Sequence, residues 1–128
     1  MIWSINKVKK ALGGKLIGKP YMVKMVCATL LNLPNDTIEF ICKKVWFISS
    51  SNDAWAFTFK GEELKDRYLV SISDELFEQE KEQIQFTILH EIGHILLNHR
   101  NSIGIEQTPA EIKQQEKQAD EFANQYKS

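Results

Sequence analysis

Residues 90–94 read His-Glu-Ile-Gly-His, a spacing that suits metal chemistry if the segment is helical. At 3.6 residues per turn, His90 and His94 stand about 40° apart on one face, so both imidazoles reach one ion. Zinc accepts such nitrogens at about 2.0–2.1 Å in near-tetrahedral geometry and lowers the pKa of a bound water to near 7. Glu91 lies about 100° round the helix from His90, beside the metal rather than on it. There it is placed to take a proton from the activated water and pass it to a leaving amine. Gly93 costs a helix interior about 1 kcal/mol relative to Ala. It falls on the side of His94, where a missing side chain admits another element or a substrate, or merely relieves packing.

A catalytic zinc site needs a third protein ligand and an open fourth position. His99, five residues beyond His94, lies about 140° round a continuing helix and points away. The metzincin pattern fails as well, with Leu97 where it requires Gly and Arg100 where it requires His. Glu116 is the better candidate. It opens Glu116-Lys117-Gln118-Ala119-Asp120, which puts Asp120 one turn later on the same face. Asp120 is then placed to accept the second ring N–H of a ligating histidine, fixing its tautomer and aim. Small Ala119, with Phe122 and Ala123, suits close packing of the two helices.

The elements that must hold these residues follow from periodicity. Ile84, Ile88, Ile92 and Ile95, with Phe86, Leu89 and Leu96, form an apolar stripe that predicts a helix from about Glu80 to Asn98. Thr108, Pro109 and Glu111 are a helix start signal, with the helix running to about Tyr126. Upstream, residues 3–12 predict a short helix stopped by Gly13-Gly14, and residues 21–32 a second. Asp36 and Glu39 resemble a capping box opening a third, to about Lys43. Between these groups the period changes to two. Val45 to Ser50, then Trp55, Phe57 and Phe59, then Tyr68, Val70 and Ile72 predict three strands, with turns at 51–53 and 61–66. Their short connections predict an antiparallel meander. The expected fold is α+β: a small three-stranded antiparallel sheet packed with helices on one side, in one domain over residues 1–128.

Composition sets the frame. The 128 residues are 43% hydrophobic and 26% charged with a net charge of −1, as in soluble globular proteins. Residues 1–35 hold Lys7, Lys9, Lys10, Lys15, Lys19 and Lys24 and no acidic residue. We read residues 1–20 as a basic helix and loop that forms a solvated face, with an acidic partner or nucleic acid as the alternative. Gly13-Gly14-Lys15 interrupts any leader-like apolar run, and Lys24 interrupts Met22–Leu33, so a cytoplasmic location is expected, with no membrane partner. Cys27 and Cys42 lack metal-ligand spacing and are expected in the core.

The pair HEIGHILLNH (90–99) and EKQADEFA (116–123) resembles the ImmA/IrrE family of zinc metallopeptidases, glutamate zincins with HExxH…ExxAD. The resemblance runs from about Leu33 to Ala123, through the VWFIS (45–49) and AWAFTF (54–59) segments. It implies a minimal zincin-like domain, one zinc per chain held by His90, His94 and Glu116, Glu91 as catalytic base, and Asp120 behind the ligands. It further implies endopeptidase action on a regulatory protein such as a helix-turn-helix repressor of a phage or mobile element. Transcription is then affected through the repressor, without direct nucleic-acid contact. By analogy with other glutamate zincins, Ala54, Trp55, Ala56 and Phe57 are the candidate edge on which substrate pairs as an added strand. For the residue that steadies the oxyanion, Tyr68, His99 and Tyr126 stay open. The alternative function is a zinc-bound regulatory or adaptor module that binds its partner without cutting it. The family often continues past the Phe-Ala with a Leu-Leu-Met-Pro-like segment and further helices. Here Ala123 is followed by Asn124 to Ser128.

Overall fold

The computed structural model describes residues 2–50, 67–97 and 108–127, and the backbone of 56–59. Helix α1 (Ile5–Leu12) opens where the Ser4 hydroxyl accepts from the Lys7 N–H at 3.2 Å, and it closes on Gly13. Gly13 has φ of 56°, a conformation that L side chains rarely adopt. A short 3₁₀ turn then leads into strand β1 (Leu16–Ile17). Helix α2 (Pro20–Leu30) starts with proline at a position whose N–H needs no partner. Helix α3 (Asn35–Lys44) begins two residues earlier than expected, with Pro34 rather than Asp36 at the N-cap, and the Asp36 capping box does not form. Asp36 lies inside the first turn and accepts from the Thr37 N–H at 2.9 Å. Its charge complements the helix N-terminus without capping it.

Strands β2 (Val45–Ser50), β3 (Ala56–Phe59) and β4 (Tyr68–Ser73) share one sheet with β1, in the order β1-β2-β4-β3. The antiparallel meander is therefore overturned. β1 pairs with β2 and β2 with β4 in parallel, and only β3 runs antiparallel, against β4. Strand directions alternate as a meander requires, but β4 inserts between β2 and β3. The physical reason is burial. Val70, Ser71, Ile72 and Ser73 are all buried, as befits a strand between neighbours, and the two serines are small enough to be covered. Apolar alternation reports which faces are buried, not which strands are neighbours. β1 was expected as part of a lysine-rich loop; two residues carry too little pattern to read.

In the parallel register Phe47 pairs with Val70, and Val45 with Tyr68. Val45, Phe47, Val70 and Ile72 thus share the face that the helices bury, while Trp46, Ile48 and Leu69 on the other are half-buried. Val8, Leu12, Met25, Leu30, Ile38 and Ile41 complete this core from α1–α3, with Cys27 and Cys42 inside it. Burial pushes the Cys27 thiol up to about 11, with Cys42 adding to the rise and Lys9 opposing it.

After a 3₁₀ turn, helix α4 (Lys81–Leu96) is anchored by Ile84, Ile88, Leu89 and Ile92, each fully buried. Each such side chain contributes about 1.5–3 kcal/mol of burial. Helix α5 (Pro109–Tyr126) starts as its signal predicts, with the Thr108 hydroxyl accepting from the Glu111 N–H at 3.1 Å. α4 packs chiefly on α5, and also on α2 and β3. No helix among the described residues is long and apolar enough to cross a membrane.

Candidate metal centre

The α4–α5 crossing positions the site. A Cβ at Gly93 would lie 3.2 Å from Phe122 Cδ1 and 3.3 Å from Ala119 Cα, so glycine lets the second helix approach. Ala119 and Ala123 are fully buried along the same seam. Of the two readings of Gly93, approach by another element is the one the packing shows.

That approach brings His90, His94 and Glu116 together, with one potential ligand atom from each inside a 4.8 Å group. His90 Nε2 is 3.1 Å from His94 Nε2. The Glu116 carboxylate reaches both, with Oε2 at 2.8 Å from His90 Nε2 and Oε1 at 3.2 Å from His94 Nε2. Asp120 Oδ1 lies 2.8 Å from His90 Nδ1. Since a carboxylate accepts, Nδ1 carries the proton, and in the neutral ring Nε2 presents its lone pair to the cluster. Two imidazole nitrogens and a carboxylate converge on one point. Such atoms at these distances repel unless a cation or a proton lies between them, so the His-His-Glu group fits a metal ion.

Glu91 is buried, with Oε2 at 4.0 Å from His90 Nε2. It therefore flanks the cluster, as its 100° offset requires, and stands outside the three-residue group. His94 is almost fully covered, whereas Glu116 and Asp120 are about half exposed. The site is open toward solvent on the α5 side and walled by α4 on the other.

A family model for peptidase U49 matches residues 53–126, more than half of the chain and all of the residues just described. The chain belongs to the peptidase U49 family. No curated protein matches it, and no solved structure does. Membership makes this peptidase a hydrolase of peptide bonds with a protein substrate, and its His-His-Glu group could hold a metal ion.

Other predicted residues are placed less centrally. In the peptidase, β3 is one of the two edge strands of the described sheet and packs beside α4. Its Ala56 and Phe57 pair with Ile72 and Ser71, while Ala54, Trp55, the 51–53 and 61–66 turns and His99 lie outside the described residues. Tyr126 ends α5, about 15 Å along the axis from Glu116, with its ring tilted against that of Phe122. Tyr68 starts β4 beside Phe40. Neither tyrosine belongs to the His-His-Glu group. One neighbour was missed: the Phe86 ring lies 6.2 Å from that of His90, tilted by 35°. Its position four residues ahead of His90 was the available signal, but Phe86 reads equally well as part of the apolar stripe.

Proposed function

We propose that this chain is a zinc-dependent endopeptidase, with His90, His94 and Glu116 as ligands and Glu91 as general base. The observation that carries the reading is the convergence of three ligand atoms with the Glu91 carboxylate alongside, in a member of a peptidase family. Zinc held by His90, His94 and Glu116 would supply Lewis acidity, for a water and for the scissile carbonyl. Glu91 accepts the proton of the attacking water and delivers it to the departing amine, its burial keeping bulk water from competing for that transfer. Asp120 holds His90 with Nε2 facing inward.

Substrate enters as an extended segment along β3, whose outward edge is unpaired among the described strands and which packs against α4. The ImmA/IrrE resemblance of the HEIGH and EKQAD segments supports a regulatory target, a helix-turn-helix repressor of a phage or mobile element, cut in the cytoplasm. Incubating such a repressor with the wild-type chain and with Glu91→Gln tests this. Cleavage by the first, and at least about a hundredfold slower cleavage by the second with zinc retained, is expected. Equal depletion of the repressor by both proteins would instead favour an adaptor that acts by binding.

A further inference from the structure

The basic start of the chain plays no part in the metal centre, yet it builds a cavity of its own. A groove of about 590 Å³ lies between the end of α1, the turn before β1, the last turns of α3 and the residue preceding β4. It is lined by Trp3, Lys15, Glu39, Lys43, Lys44 and Arg67, and no residue of α4 or α5 lines it. Its volume lies within the range of small-molecule sites, about 300–1,000 Å³.

Charge in the groove is unbalanced. Among the described residues that line it, Glu39 is the one carboxylate, and it is tied to Lys43 at 3.1 Å. Among the described residues no carboxylate lies within ion-pair distance of Lys15, Lys44 or Arg67. The C-termini of α1 and α3 each add about half a negative charge. Even so, the four cations leave the described lining at roughly +2. Lys15 and Lys44 are half-buried, so their charges face the cavity with less screening than those of exposed lysines. The field reaches inward: burial raises the Cys42 thiol pKa, and Lys15 pulls against that rise. Trp3 is half-buried against the core, which holds its ring in the groove wall.

We propose that this groove binds a nucleotide, with its phosphates on Lys15, Lys44 and Arg67 and its base against Trp3. An acidic peptide would use the cations but not the indole. A nucleic-acid strand would need a longer track than a groove of this volume. A nucleotide uses both features within the available volume.

The test uses the full zinc-loaded chain, titrated with ATP and Mg²⁺ at fixed ionic strength in a calorimeter. ATP is expected to bind at least tenfold more tightly than pyrophosphate. The double variant K15Q/R67Q, which keeps both side chains polar, is expected to weaken ATP at least tenfold with an unchanged melting temperature. Trp3→Leu should reduce ATP to the affinity of pyrophosphate. No ATP binding, equal binding of ATP and pyrophosphate, or ATP binding untouched in K15Q/R67Q each overturns the proposal. Tighter binding of a short thymidine oligonucleotide than of ATP also overturns it, in favour of a nucleic-acid surface.

Discussion

The α4–α5 pair and the α1–α3 layer both carry many charged side chains, but they dispose them in opposite ways. In the pair, two successive helices bring His90, His94, Glu116 and Asp120 within 2.8–3.2 Å of a neighbour in the group. In the layer, lysines stand apart around an apolar core, and the ion pair described there, Lys43–Glu39, lies within one helix. The difference originates in the backbone. Gly93, Ala119 and Ala123 let the pair close until polar side chains touch, whereas Leu12, Met25, Leu30 and Ile41 hold the layer apart with bulk. Close helix approach gathers a group that could hold a cation; bulky packing leaves cations facing a groove.

The largest expected effect breaks the contrast at its centre. His94→Ala should reduce bound metal to near zero and abolish cleavage, while Lys44→Gln leaves both at wild-type levels; metal analysis after dialysis decides between them. Asp120→Ala removes the acceptor that holds His90, and metal affinity should fall about 10–100-fold in a competition with a chelator. The backbone argument is tested next. Gly93→Val forces a side chain against Phe122 and the Ala119 backbone and should cost about 1–3 kcal/mol in urea unfolding. Gly14→Ala, with nothing within 4 Å of its Cβ, should stay within about 0.5 kcal/mol.

Two smaller effects separate the layers further. Folded Cys27 keeps its proton up to about 11, against an ordinary value of 9.0. Between those pH values the unfolded chain releases a proton that the folded chain retains, so stability falls as pH rises. Cys27→Ala should flatten that alkaline decline in a series of melts. Thr108→Ala removes the α5 cap and should cost about 1 kcal/mol. Asp36→Ala, which removes no cap from α3, should cost less in the same denaturant series.

The legible part of this molecule was its helical chemistry. His90, Glu91 and His94 declare their relative angles because a helix fixes them over a few residues, and Thr108-Pro109 marks where α5 must start. Distance along the chain hid the rest. Nothing local to Val70 or Phe57 states that β4 lies between β2 and β3, because strand order is decided by which strand the core can bury on both faces. Leu16 and Ile17 were too few to show a period. The groove of Lys15, Lys44 and Arg67 joins three separate segments, so the sequence displayed its lysines without their meeting place. Phe86 was visible as apolar, but its position beside His90 follows only once the helix is placed.

The central claim is that α4 and α5 share one metal through Glu116, and it is tested most directly by metal content. Wild-type protein should hold about one zinc per chain, and Glu116→Gln, keeping its fold by circular dichroism, should lose most of it. Full zinc occupancy in Glu116→Gln would contradict the account, leaving the two histidines without the third ligand that joins the helices into one site.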